Sequence, residues 1–242
     1  MTIDRTADRS SRAPVAIVVA AYNEADRIAA TLAALAQAFP GAPVWVADDG
    51  STDATAQVAR DAGARVVRSE RVIGKGGAMS DAARAALTHA REGDDATRAE
   101  SIFLLCDGDL ADSARELRAL VDTVQRGDAD VAVAAFARRV GGGVGLALGF
   151  ARWAIRRRCG LDTRAPISGQ RALGERALED VLPFARGYGM EIGITVDAVR
   201  AGHRLVEVEL DLAHRASGRT LAGFLHRARQ LVDFVLVYRA RG

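Results

Sequence analysis

Residues 15–20 read VAIVVA, six apolar positions in a row, four of them β-branched. A run of this kind fits a strand covered on both faces, which demands helices above and below it. The chain that follows supplies them. Residues 25–39 have helical periodicity and stop at Pro40-Gly41; residues 44–47 form a second short strand; residues 52–62 read as a helix with Gly63 past its end; residues 65–68 make a third strand. A glycine-rich loop at 74–77 opens a helix over about 78–91, residues 101–106 are a fourth strand, residues 113–126 a helix and residues 130–136 a further strand. This βαβαβ order predicts an α/β fold, a mainly parallel sheet with helices on both faces. Ligands of such sheets bind beyond the carboxyl ends of the strands. The polar clusters at 22–24, 48–51 and 107–109 all stand at such ends, so they are expected to converge on one cleft.

The second half is less regular. Residues 141–145 are glycine-rich, 146–158 read as a helix with a basic end, 166–170 and 187–189 as turns, 190–200 as a helix, 205–210 as a strand and 221–238 as a long terminal helix. With 242 residues, 49% of them hydrophobic, the chain can bury a substantial core. A net charge of only +2 argues against a protein that coats nucleic acid. Cys106 and Cys159 form no CxxC pair, which suggests neither a zinc site nor a disulfide and fits a reduced, cytoplasmic setting. No signal peptide is visible, and no stretch of about 18 apolar residues is present to span a bilayer.

Four places could carry chemistry. In Asp107-Gly108-Asp109 two carboxylates flank a glycine and can turn toward one point, where a hard cation such as Mg²⁺ or Mn²⁺ would find oxygen ligands. Asp48-Asp49-Gly50-Ser51-Thr52-Asp53 contains a helix cap, but the leading Asp pair exceeds what a cap needs. Gly74-Lys75-Gly76-Gly77 is neither a P-loop nor a dinucleotide fingerprint, since Ser69, Gly76 and Met79 stand where those motifs need Gly, Ser/Thr and Gly. Yet it holds the one lysine of a chain otherwise rich in arginine, a compact charge suited to phosphate. Glu191 opens a helix after Gly187-Tyr188-Gly189, and His214 follows the last strand. Taken alone, Glu191 reads as a favourable charge at a helix start and His214 as an exposed or structural histidine.

The stretches VVAAYNEADRI, VWVADDGSTDAT, GKGGAM and LLCDGDL resemble, in order and spacing, the family 2 glycosyltransferases of the GT-A (Rossmann-like) fold. PFARGYGMEIGITVDAVRAG with LDLAHR resembles the glucosyl-3-phosphoglycerate synthases more narrowly, and the layout is similar to that of polyprenyl-phosphate glycosyltransferases. The resemblance implies transfer of a sugar from a nucleotide-sugar donor, a UDP-sugar first of all, with a divalent metal, Mg²⁺ or Mn²⁺. It implies that Ala20, Tyr22 and Glu24 line the nucleotide pocket, that Asp49 contacts the uracil, that Lys75 reaches the nucleotide or its phosphates, and that Asp107 lies near the ribose and metal. Asp109 and His214 would ligate the metal, and Gly187, Tyr188 and Glu191 would face the sugar and acceptor, with Glu191 and Asp109 catalytic. The resemblance covers roughly residues 15–216; the polar start reads as flexible over 1–13, and one domain is expected over 14–242, with a nucleotide-binding half (14–136), an acceptor half (137–220) and a terminal helix (221–242).

In the synthases the stretch matching Gly141 to Leu146 carries an arginine and a threonine for a phosphorylated acceptor; this chain has Val144 and Leu146 near those places, and Ala216 where an asparagine follows the metal histidine. The expected acceptor is therefore not 3-phosphoglycerate but something with more apolar surface, although Arg138, Arg139 and Arg164 could supply charge. Two other readings compete: a sugar-phosphate nucleotidyltransferase, which would need an Arg-containing glycine loop after the first strand, and a non-catalytic nucleotide-binding module. Phe150, Trp153 and Ile155 beside Arg152 and Arg156 to Arg158, with Leu231, Phe234, Val235 and Leu236 of the terminal helix, suggest peripheral association with a membrane surface. The alternative for the same residues is packing in a core or a homodimer.

Overall fold

The computed structural model describes residues 13–92, 99–136, 146–212 and 233–240. The strands are β1 (Val15–Ala21), β2 (Val44–Asp48), β3 (Arg65–Arg68), β4 (Ile102–Asp107), β5 (Val131–Phe136), β6 (Arg171–Gly174) and β7 (Leu205–Leu210). The helices are α1 (Ile28–Ala38), α2 (Thr55–Asp61), α3 (Lys75–Ala90), α4 (Arg118–Gln125), α5 (Leu146–Cys159), α6 (Glu175–Val181) and α7 (Met190–Arg200). A further helix, α8, covers residues 233–240. The seven strands form one sheet in the order β3-β2-β1-β4-β6-β5-β7, parallel except where β6 runs antiparallel to β4 and β5.

The uninterrupted apolar run of β1 is explained by its position at the centre of the sheet. Ile17, Val19 and Ala21 face a core shared with α1, while Ala16 and Val18 face a second core shared with α3 and α7. In β4, Ile102, Leu104 and Cys106 face the first core and Phe103 and Leu105 the second. Alternate residues therefore enter opposite layers, and no position is left for a polar side chain. Full burial of each large side chain contributes roughly 1.5–3 kcal/mol, so these two strands anchor the platform on which the site is built. Burial also pushes the Cys106 thiol well above its ordinary pKa, which leaves it an inert core residue.

Several sequence expectations change. The helix expected over 113–126 begins as a 3₁₀ segment, Ala111–Leu117, and becomes α-helical only at Arg118. Lys75, Gly76 and Gly77 lie in the first turn of α3 and not in a loop before it. Strand β6 and helix α6 follow one another with no loop between them. Their four and seven residues are too short to show a period. Most of the expected terminal helix lies outside the described residues; its last part is helical and ends beyond Tyr238. Of the residues assigned to a membrane-facing surface, Ile155 and Phe234 are instead fully buried, packed with Ala151, Ile192, Val196 and Val237 in a third cluster under α5, α7 and α8. Trp153 and Leu236 do face outward, 50% and 57% exposed. Leu231 lies outside the described residues, which contain no helix long and apolar enough to cross a membrane.

Candidate active site

In the β1–β2 and β1–β4 ladders, Ala21 stands opposite Asp48 and Ala20 opposite Asp107. The polar clusters read from the sequence therefore share one edge of the sheet. The chain order also reverses here, since β2 and β3 lie to one side of β1 and β4 to the other. Such a switch point opens a crevice at the carboxyl ends of the strands.

The Asp107-Gly108-Asp109 turn is fastened at several points. Gly108 donates its N–H to Ala20 O at 2.9 Å. A Cβ on Gly108 would come within 3.0 Å of that oxygen, which accounts for the glycine. Buried Thr31 of α1 donates its hydroxyl to Gly108 O and accepts from Ala111 N–H, both at 2.8 Å. Ala111 is held at φ +47°, a left-handed conformation that costs an L residue about 1–2 kcal/mol. Its two carboxylates have different surroundings. Asp107 Oδ1 lies 2.7 Å from Lys75 Nζ, and its Oδ2 accepts from Gln170 Nε2 at 2.7 Å. Asp109 Oδ1, by contrast, is buried and has no hydrogen-bond partner among the described residues.

A buried acceptor without a donor costs about 1–3 kcal/mol, and a cation offsets that cost. The carboxylate of Asp109 therefore fits a hard divalent ion. Among the described residues no three His, Cys, Asp or Glu side chains meet at a point that could hold a metal. His214, the second ligand named from the sequence, lies outside the described residues.

On the β2 side the two adjacent aspartates divide their roles. Asp48 is fully buried; its Oδ1 accepts from Ser51 N–H at 2.9 Å, and its Oδ2 lies 3.3 Å from Arg68 Nε. It shapes the turn. Asp49 accepts from the N–H groups of Ile73 at 2.7 Å and Gly74 at 3.0 Å, and so carries the loop that leads into Lys75. Burial raises its pKa, an effect the two N–H donors partly offset. The carboxylate expected at the base thus also organises the pocket wall. Tyr22 is half exposed at the rim. Beside it, Glu24 N–H donates to Thr55 Oγ1 at 2.8 Å and Asn23 N–H to Ser51 Oγ at 3.0 Å, tying the end of β1 to the loop after β2.

The end of β4 and the start of α7 meet at Lys75. Its ammonium bridges Asp107 and Glu191, 2.7 and 2.9 Å away. Burial works against the charge, but the two carboxylates outweigh it and hold the amine above its ordinary pKa. Lys75 reaches Glu191 because α3 begins against the turn Gly187–Gly189, in which Tyr188 lies. A Cβ on Gly74 would stand 3.3 Å from Gly187, and one on Gly76 would lie 1.8 Å from Ala185 O. From the other side α8 closes on the same turn, where a Cβ on Gly187 or Gly189 would collide with Asp233 or Val237. Lys75 thus links the two carboxylates.

Thr31, Thr55, Ser168, Gln170 and Arg171 join the site without having stood out in the sequence. Thr31 left a trace, a hydroxyl on the otherwise apolar face of a helix rich in Ala and Leu. A buried polar group needs a partner, so such a residue points at whatever lies across the interface.

Residues 16–176 match the profile of the family described as Glycosyl transferase family 2. The chain belongs to that family. This family 2 glycosyltransferase is 27% identical over 222 residues to the undecaprenyl-phosphate mannosyltransferase of Micrococcus luteus, covering 85% of this chain and 86% of that protein. It is 30% identical over 216 residues to glycosyltransferase AglJ of Haloferax volcanii, covering 84% of this chain and 64% of the relative. Its fold matches that of glucosyl-3-phosphoglycerate synthase from Mycobacterium tuberculosis in complex with Mn²⁺, UDP-glucose and glycerol 3-phosphate, with a TM-score of 0.70, 27% identity, and coverage of 94% of this chain and 80% of that one. The fold of the transferase is thus the GT-A fold, and the nucleotidyltransferase and non-catalytic readings fall away.

Proposed function

We propose that this glycosyltransferase moves a sugar from a nucleoside-diphosphate donor, a UDP-sugar first of all, onto a polyprenyl-phosphate type of acceptor in a reaction that needs Mg²⁺ or Mn²⁺. The observation that carries the donor half is the unpartnered, buried oxygen of Asp109 beside the Asp107–Lys75–Glu191 bridge, at the switch point of the sheet. A bound divalent ion would supply positive charge to the departing diphosphate. Asp109 would hold that ion, with His214 as the second ligand. Tyr22, Glu24 and Asp49 would bound the nucleotide pocket. Asp107 would present its carboxylate toward the ribose and metal, and Glu191, paired with Lys75, would take the acceptor's proton or orient it.

The acceptor half rests on two supports. The Micrococcus luteus relative is named for undecaprenyl phosphate. In addition, Val144, Leu146 and Ala216 offer neither the charge nor the donors that a small phosphorylated carboxylate needs once water is excluded. Outward-facing Trp153 and Leu236, with Arg156 and Arg157 exposed on α5, suit an approach to a lipid surface.

The test is a transfer assay with UDP-glucose and GDP-mannose, each offered 3-phosphoglycerate or a short polyprenyl phosphate in anionic vesicles. Product is expected with the lipid acceptor, at a rate at least about 10²-fold above that with 3-phosphoglycerate, because a site lacking the hydrogen-bonding groups for a substrate loses orders of magnitude in rate. Efficient formation of glucosyl-phosphoglycerate would overturn the acceptor assignment.

A further inference from the structure

We infer that Gln170 is a positioning residue for Asp107, and that the segment Ser168–Gly169–Gln170–Arg171 locks the two halves of the site into one unit. Gln170 is buried, and its amide donates to Asp107 Oδ2 while Lys75 occupies Oδ1. Both oxygens of Asp107 are therefore oriented, one by α3 and one by the segment that leads into β6. The amide is itself oriented, because Ser168 Oγ donates to Gln170 Oε1 at 3.2 Å. Between them Gly169 passes directly over the ion pair. A Cβ there would come within 2.7 Å of Lys75 Nζ and 2.9 Å of Asp107 Oδ2, so a larger residue would have to displace the pair.

From this segment the contacts continue to the acceptor side. Arg171, 1% exposed, donates from Nε to Ser168 O and from Nη1 to Thr195 Oγ1, each at 2.9 Å. Thr195 donates to Glu191 O at 3.0 Å, one turn back along α7. Glu191 then returns to Lys75, and Lys75 to Asp107. The contacts form a closed ring through β4, β6, α7 and α3. Within it the nearby charges of Glu191 and Glu207 help Arg171 remain a cation, although burial lowers its pKa to about 10. Lys75, Asp107, Gln170, Arg171 and Thr195 each contact two members of the ring, which closes through the backbone carbonyls of Ser168 and Glu191, so an isolated rotamer change at Asp107 would strand a buried partner. Such a ring is one way to hold reacting groups in a fixed geometry, and small displacements from that geometry lower rates steeply.

The inference rests on the reading of Asp107 as a donor-side group, and the experiment separates the two. Gln170→Met keeps the length and bulk of the side chain and removes the donor. It is compared with Asp107→Ala and with the double variant, in transfer assays and in UDP affinity measured by calorimetry with Mn²⁺. Gln170→Met is expected to lower kcat/KM by about tenfold to a hundredfold, and the double variant to be no worse than Asp107→Ala alone, because Gln170 acts through Asp107. Losses that multiply would overturn the inference, as would wild-type kcat/KM in Gln170→Met. Ser168→Ala, which leaves the amide in place but frees it to rotate, is the gentler companion should Gln170→Met fail to fold; it is expected to lose about three- to tenfold, and an unchanged value would again overturn the inference. If the wild type binds UDP but transfers nothing, the proposed reaction falls and the same cycle is read from the affinities. A wild type that binds no UDP overturns both.

Discussion

Asp109→Ala is expected to lower the turnover number by about 10³-fold or more, the scale of several kcal/mol of charge stabilisation contributed by a bound metal. The expectation follows from the contrast within one turn. Asp107 has a cation on one oxygen and an amide on the other, whereas the buried Oδ1 of Asp109 has no hydrogen-bond partner among the described residues. An apolar side chain at position 109 removes an unsatisfied acceptor, so the same substitution is expected to leave the thermal midpoint unchanged or slightly raised. Loss of activity without loss of stability is the pattern of a group held for a ligand. A variant that unfolds, or one that turns over normally with metal chelated, would mean that Asp109 serves the fold.

Gly76→Ala is expected to show the reverse. The new methyl would lie 1.8 Å from Ala185 O and 2.9 Å from Ala185 C, both backbone atoms that no rotamer change can move. Overpacking of this kind costs about 3 kcal/mol or more when backbone must shift, which for a chain of this length lowers Tm by about 10 °C. Activity should fall with stability, because the same shift draws Lys75 away from Glu191. Gly149, in α5, provides the control: a Cβ there meets nothing within 4 Å among the described residues, so Gly149→Ala is expected to be neutral or to stabilise by up to about 1 kcal/mol. Equal melting curves for Gly76→Ala and the wild type would contradict the close packing of α3 on the Gly187 turn.

The sheet was legible because its central strands are buried on both faces. Nothing but an unbroken apolar run can occupy β1 or β4, and the polar clusters that interrupt such runs mark the strand ends. For that reason the positions of Glu24, Asp49, Asp107 and Asp109 followed from pattern alone. Strand β6 was not legible, since four residues running straight into a helix carry no period. Its antiparallel insertion between β4 and β5 is a tertiary fact, and Gln170 and Arg171 owe their roles to it. Lys75 was singled out correctly as unusual, but its partners lie 32 and 116 residues away and no local signal names them. The outward face of α5 and α8 was read too generously. Helical periodicity separated Trp153 from Ile155 only once α7 was known to lie beneath them.

The most direct test of the central claim is calorimetric binding of UDP to the wild type and to Asp109→Ala, with Mn²⁺ and with EDTA. The site described here predicts that Mn²⁺ tightens UDP binding by about tenfold or more in the wild type, as expected when the nucleotide's diphosphate completes the coordination of an ion held by Asp109. It also predicts that Asp109→Ala binds UDP equally weakly under both conditions. Wild-type affinity that does not respond to Mn²⁺, or an Asp109→Ala variant that retains the full metal response, would contradict it.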